Sequence, residues 1–419
     1  MPLERIRIQG GQPLRGSVHV RGAKNAALPL MAAALLGESP VTLHNVPCLH
    51  DVFTMDKLLS DMGVRIEFTG RYMTLDASTL STPEAPYDLV RKMRASFFVL
   101  GPLLGRCGRA RVSLPGGCAI GTRPVDIHLK GLEQLGAQIE IAEGYVTAKG
   151  DLHGADIALD FPSVGATENL MMAAARAKGV TRITNCAREP EIDDLARLLN
   201  TMGAQISGAG TDLITIVGVD ALGGAEHVVI GDRIEAATFL LAGVATGGDV
   251  TTVNANPDHL PQVLDKLRDV GATVEIHGNR IRAAAMNGLH ATDMTTLPFP
   301  GFPTDLQAQF MAMLSRAEGV SRIKETVFEN RFMQAAELMR MGADITLDGN
   351  TAIVRGVPLL SGAPVMASDL RASAALIIAG LAAERGETSI GRIYHIDRGY
   401  ERIEERLEAL GANIRREAD

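Results

Sequence analysis

The sequence predicts an α/β protein of two domains, assembled from six similar units of about 70 residues, three to a domain. Three observations carry that prediction. A short pattern of helix end, glycine, small residue and strand start recurs along the whole chain. An Ala-rich helix precedes each copy, and β-rich segments lie between the two. The pattern first reads Leu58-Leu59-Ser60-Asp61-Met62-Gly63-Val64-Arg65-Ile66, then returns around Gly136, Gly203, Gly271, Gly342 and Gly411. Successive marker glycines are 73, 67, 68, 71 and 69 residues apart. A glycine just past a helix is a common C-terminal stop, so each copy has a local cause; six at even spacing imply a repeated fold.

The elements follow in order. Met1-Pro2-Leu3-Glu4-Arg5-Ile6-Arg7-Ile8 alternates like a strand and lacks the apolar centre of a signal peptide. Ala-rich helices are expected from about Asn25, Ala95, Val164, Arg233, Asp305 and Leu370, the fifth with Leu306, Phe310, Met313 and Leu314 along one stripe. Ser163, Thr304 and Ser368 stand where N-caps are expected. Each helix is followed by a glycine and a β-rich run, such as Gly179-Val180-Thr181-Arg182-Ile183-Thr184. A unit of two helices and about four strands is too large for a solenoid repeat and fits a compact subdomain. The expected division places residues 22–231 in a first domain and 1–21 with 232–419 in a second, the N-terminal strand completing the latter.

Composition narrows the function. With 46% hydrophobic and 21% charged residues in 419, the chain is of ordinary globular type. It has no Trp, five Tyr and eleven Phe, which disfavours an aromatic stacking platform for nucleic acid. A formal charge of −8 argues against polyanion or anionic-membrane binding. Four scattered cysteines (Cys48, Cys107, Cys118, Cys186) form no CxxC pair, as expected of reduced cytoplasmic thiols. No apolar run is long enough to span a membrane. GxxxxGK[ST], GxSxG and HExxH are missing, and His44-Asn45-Val46-Pro47-Cys48-Leu49-His50 reads as a loop, not a metal site.

Two features point to chemistry. Lys24, Arg94, Arg233 and Arg371 sit at the starts of Ala-rich helices, where a cation opposes the macrodipole unless an anion is bound. Arg123, Arg188, Arg331 and Arg398 precede second helices in the repeat. Cations recurring at equivalent positions of an acidic chain predict a multiply charged anionic substrate, phosphate plus carboxylate, which arginine grips bidentately. The second feature is the loop Pro115-Gly116-Gly117-Cys118-Ala119-Ile120-Gly121, followed by Thr122-Arg123-Pro124-Val125-Asp126. From its residues alone it is either a turn that contains a cysteine or an exposed, adjustable thiol.

Gly22-Ala23-Lys24-Asn25-Ala26-Ala27-Leu28-Pro29, Leu114 to Asp126, Ala187-Arg188-Glu189-Pro190-Glu191-Ile192, Phe302-Pro303-Thr304-Asp305, Glu325 to Phe332 and Arg392 to Tyr400 closely resemble the UDP-N-acetylglucosamine 1-carboxyvinyltransferase family. The resemblance covers essentially the whole chain. It implies the enolpyruvyl transferase fold, an inside-out α/β barrel in each of two domains. It also implies transfer of the enolpyruvyl group of phosphoenolpyruvate to the 3-hydroxyl of UDP-N-acetylglucosamine, with release of phosphate and no cofactor. In that family's terms Cys118 matches the proton donor and the thiol alkylated by fosfomycin, and Asp305 matches the base. Lys24, Arg123 and Arg398 match the phosphate-side cations; Arg331 and Arg371 would take the carboxylate, and Asn25 lies on both substrates. Arg94, Arg123, Pro124, Val125, Asp126, Ile127, Ser163, Val164 and Gly165 match nucleotide contacts, and Val327 a sugar-side contact. Phe161 stands where some relatives carry a lysine near the diphosphate. The implied partners are the two small substrates, with neither nucleic acid nor membrane, in the cytoplasm. Two alternatives are a 5-enolpyruvylshikimate-3-phosphate synthase and a non-catalytic nucleotide-sugar-binding protein on the same scaffold.

Overall fold

The computed structural model describes residues 4–90, 93–114, 125–285, 288–328 and 330–418. These divide into two compact units, one of residues 22–114 and 125–230, the other of 4–21 and 231–418. Gly231 therefore groups with the residues after it, one position from the expected boundary. Its Cα lies so close to the Asn254 carbonyl that a Cβ would stand 2.0 Å from that oxygen.

Among the described residues each unit holds three sheets of four strands, and all six sheets share one pairing pattern. In the sheet ordered Glu84–Ala85, Arg109–Ser113, Tyr145–Lys149, Gln138–Ala142, the first pair is parallel and the next two are antiparallel. A helical segment crosses between the parallel strands and a second helix leads to the hairpin, giving β-α-β-α-β-β per repeat. The ends of the chain complete this scheme. Ala225–Val228 pairs parallel with Val41–His44, so the last strand of the 22–230 unit completes its first sheet. Arg15–His19 does the same for Asp249–Val253, and Glu4–Gln9 lies antiparallel between Thr388–Gly391 and Asn413–Ala418.

The six marker glycines have φ between 95° and 110°, the left-handed region that a Cβ disfavours. In every copy the glycine N–H bonds the carbonyl three residues back, and the next residue's N–H bonds the carbonyl five back: Gly203 to Asn200 and Ala204 to Leu199, for example. These are six Schellman stops, and they turn each outer helix into its hairpin.

The Ala-rich helices are inner helices. Val164–Ala174, Arg233–Ala245 and Leu370–Ala382 are buried on almost every face, which is why their sequences are apolar all round. The outer helices are amphipathic: Pro190–Thr201 buries Ile192, Leu195, Leu198 and Leu199 and exposes Arg197 and Asn200. Two inner helices begin as 3₁₀ turns, Arg94–Val99 before Leu100–Cys107 and Thr304–Leu306 before Gln307–Leu314. Ser163 caps as expected, accepting from the Ala166 N–H. Thr304 and Ser368 do not cap. Thr304 spends its hydroxyl on Glu325 and Arg331, and Asp369 instead takes the N–H groups of Arg371 and Ala372. Both of those N–H groups converge on Asp369 Oδ1, one residue on from Ser368.

Candidate active site

In the 231–418 unit, the 3₁₀ turn Thr304–Leu306 presents Asp305 between two arginines from different repeats. Arg331 donates Nη2–H to Oδ1 and Arg371 donates Nη2–H to Oδ2, each at 2.7 Å. Both arginine side chains are 7% exposed and that of Asp305 is 24% exposed. Burial by itself would raise the carboxyl's pKa. The charges of Arg371 and Arg331, and the hydrogen bonds they give, overcome that and hold Asp305 well below the usual carboxylate range.

Each arginine is also anchored on its other terminal nitrogen. Arg371 Nη1 donates to Tyr400 Oη at 3.3 Å; that oxygen lies 2.8 Å from Thr238 Oγ1 and accepts from Gln309 at 3.3 Å. Burial pushes the Tyr400 phenol up, which keeps it neutral. Arg331 Nη1 donates to Thr304 Oγ1 at 2.9 Å, and Thr304 donates to Glu325 Oε2 at 2.9 Å. The buried Glu325 carboxylate takes three further donors, Thr296 Oγ1 and the N–H groups of Val327 and Phe328. One carboxylate thus ties the turn bearing Asp305 to the segment bearing Val327. Arg398 ends the 3₁₀ turn Ile393–Arg398, near His395, whose pKa is lowered by burial.

In the 22–230 unit, Lys24 opens the helix Lys24–Ala33 and pairs with the buried Asp51 at 3.2 Å, with Asn25 half-buried beside it. Val125 precedes the helix Asp126–Gln134, which carries Asp126, Ile127 and His128 in its first turn. Ser163 and Val164 begin the neighbouring inner helix, and Gly165 there lies against His128 and Phe98, where a Cβ would be 3.2 Å from each ring. Two expected nucleotide-contacting segments therefore meet at one helix start. Phe161 is 41% exposed just before that start. The expected roles of Cys118, Arg123 and Pro124 fall outside the described residues, as does the side chain of Arg94.

Two of the four cations at helix starts are matched by carboxylates of the chain itself, Asp51 for Lys24 and Asp305 for Arg371, which spacing alone did not reveal. Asp51, Glu325 and Tyr400 were not singled out from sequence, although the last two stand inside the motifs that carry the resemblance. Among the described residues no group of three or more His, Cys, Asp or Glu could hold a metal ion, and no helix is long and apolar enough to cross a membrane.

A family model described as EPSP synthase (3-phosphoshikimate 1-carboxyvinyltransferase) matches residues 8–407. A relative from Granulibacter bethesdensis named UDP-N-acetylglucosamine 1-carboxyvinyltransferase is 57% identical over 419 residues, 99% of each chain. One of the same name from Desulfosudis oleivorans is 56% identical over 415 residues, again 99% of each. The chain belongs to the UDP-N-acetylglucosamine 1-carboxyvinyltransferase family. Its fold is that of the enolpyruvyl transferases. The enolpyruvyl transferase NikO from Streptomyces tendae superposes with a TM-score of 0.89 at 26% identity over 100% of both chains. An EPSP synthase from Acinetobacter baumannii shares the fold at a TM-score of 0.75 and 21% identity, over 99% of this chain and 100% of its own. Like the other members of the carboxyvinyltransferase family, the chain is a transferase.

Proposed function

We propose that the chain transfers the enolpyruvyl group of phosphoenolpyruvate to the 3-hydroxyl of UDP-N-acetylglucosamine, the first committed step of peptidoglycan synthesis. The observation that carries this reading is a partly buried aspartate between two buried arginines, in a chain more than half identical to relatives of that name. In the reaction the sugar hydroxyl gives its proton to Asp305 and its oxygen bonds to C2 of phosphoenolpyruvate. The π pair of that carbon takes a proton at C3 from Cys118. Loss of the C3 proton then restores the double bond as the C2–O bond to phosphate breaks. Lys24, Arg123 and Arg398 balance the phosphate charge, and Arg331 and Arg371 hold the carboxylate. Arg94, Pro124, Val125, Asp126, Ile127, Ser163, Val164 and Gly165 hold the nucleotide, and Asn25 and Val327 the sugar.

The test is phosphate release from phosphoenolpyruvate with UDP-N-acetylglucosamine or shikimate 3-phosphate as acceptor. Turnover with the UDP-sugar alone is expected; turnover only with the shikimate, or with neither, would overturn the reading. Fosfomycin should add its mass at Cys118 and at none of Cys48, Cys107 and Cys186 in a peptide map.

A further inference from the structure

Resting on that reading, the geometry around Asp305 poses a conflict between two roles. A base must take up a proton, yet each Asp305 oxygen already accepts an arginine N–H at 2.7 Å, and two paired cations disfavour the protonated carboxyl. Arginines that receive a substrate carboxylate need free donors, yet the Nη2 groups of Arg331 and Arg371 both serve Asp305.

We infer that Asp305 stands in for the substrate's carboxylate, and that phosphoenolpyruvate makes the base by displacing Asp305 from Arg331 and Arg371. The two arginines are built to stay while the aspartate leaves. Arg371 keeps Tyr400 on Nη1 and Arg331 keeps Thr304 on Nη1, neither bond involving Asp305. The exchange swaps one carboxylate for another, so neither buried cation is left without an anion.

A second observation favours the incoming group. Arg331 is 6% exposed, and its buried Nε–H has no hydrogen-bond partner among the described residues. The Nε and Nη2 donors share one edge of a guanidinium, the edge that grips a carboxylate with two parallel bonds. Asp305 fills only the Nη2 half of it. A substrate carboxylate engaging Arg331 side-on would take both donors and satisfy the orphan. Asp232 and Tyr400 act on Arg371, and Glu325 holds the Thr304 hydroxyl that accepts from Arg331. The charges of Arg371 and Arg331 on the Asp305 carboxylate together outweigh the opposing effect of burial. Once released, Asp305 has the proton affinity to take the hydroxyl proton, and the base appears only when the enolpyruvyl donor is in place.

The test is calorimetric, using 2-phospholactate, a saturated analogue that keeps the phosphate and carboxylate of phosphoenolpyruvate, with inorganic phosphate as control. Asp305→Asn removes the internal competitor, since a neutral amide cannot hold two arginines. Phospholactate should bind this variant at least tenfold tighter than the parent, while inorganic phosphate gains less than threefold. Equal or weaker phospholactate binding, or the same gain for both anions, would overturn the exchange. Turnover of the same variant judges the underlying reading separately. Unchanged affinity with lost turnover leaves Asp305 as the base without exchange, whereas tighter binding with retained turnover leaves the exchange without the base.

Discussion

Two carboxyls in this chain lie at opposite ends of what burial does to a charge. Asp305 is ionised because two guanidiniums surround it; Glu168, on the inner helix Val164–Ala174, is 0% exposed and neither of its oxygens has a hydrogen-bond partner among the described residues. Burial first, then the nearby Glu191 and Glu189, pushes Glu168 well above the ordinary glutamate value of 4.5. The signs follow from proton linkage. Asp305 stabilises the fold at pH above its unfolded value, and that contribution is lost as pH falls toward its depressed folded value. Glu168 binds its proton more tightly when folded, so the stability it confers is present below pH 4.5 and is lost as pH rises through its raised folded value. Replacing Glu168 with Gln removes this dependence. In thermal melts from pH 4 to 8, the variant should gain on the parent as pH rises and converge with it toward pH 4; parallel curves would show that Glu168 does not titrate there. Sequence could not show either environment. Asp305 and its arginines were legible one at a time, through motifs, but they are 26 and 66 residues apart, and spacing says nothing about which side chains meet through space. The cations at helix starts suggested a bound anion; part of that anion is the protein's own carboxylate.

Elements were more legible than residues because their signals are local. The six glycine stops were readable because a left-handed residue after a helix strongly favours glycine, and the same constraint returns in every repeat. Gly203 tests this cleanly. Its φ is 110° and a Cβ would meet nothing within 4 Å among the described residues, so Gly203→Ala should cost backbone strain alone. A loss of about 1–2 kcal/mol in chemical denaturation is expected; an unchanged midpoint would mean that the turn relaxes freely. The caps were misread at Thr304 and Ser368 because a hydroxyl before a helix has other uses, here a relay from Arg331 to Glu325. Tyr400 exerts a similar influence from the segment after Arg398. Tyr400→Phe keeps the ring but strips the acceptor from Arg371 and Gln309, and should cost about 1–3 kcal/mol of stability through unsatisfied buried donors. Because Arg371 would lose its anchor, KM for phosphoenolpyruvate should rise at least severalfold while KM for the UDP-sugar stays close to the parent value. Equal changes in both would point to general damage and not to Arg371.

At the scale of the whole chain, there are two sets of three repeats, the sequence of one interrupting that of the other. The segment 22–230 leaves the second set after the strand Arg15–His19 and returns to it at the helix Arg233–Ala245. Repeat count and spacing made the six units legible, but not the way each set closes, because closure depends on strands far apart in sequence: Ala225–Val228 on Val41–His44, and Glu4–Gln9 on Asn413–Ala418. The buried cores respect the same division, one drawn wholly from residues 23–229 and the other from 6–20 and 234–414. A set with all its strands paired internally and its own core has what independent folding requires. The fragment 22–230 should therefore fold alone and melt cooperatively by circular dichroism. Deleting residues 1–10 from the full chain should have the converse effect. It removes the strand on which Thr388–Gly391 and Asn413–Ala418 both pair, so the 231–418 unit should unfold while the transition of the 22–230 unit persists. A single shared transition in the deletion variant, or a fragment without one, would show that the two sets fold only as one body.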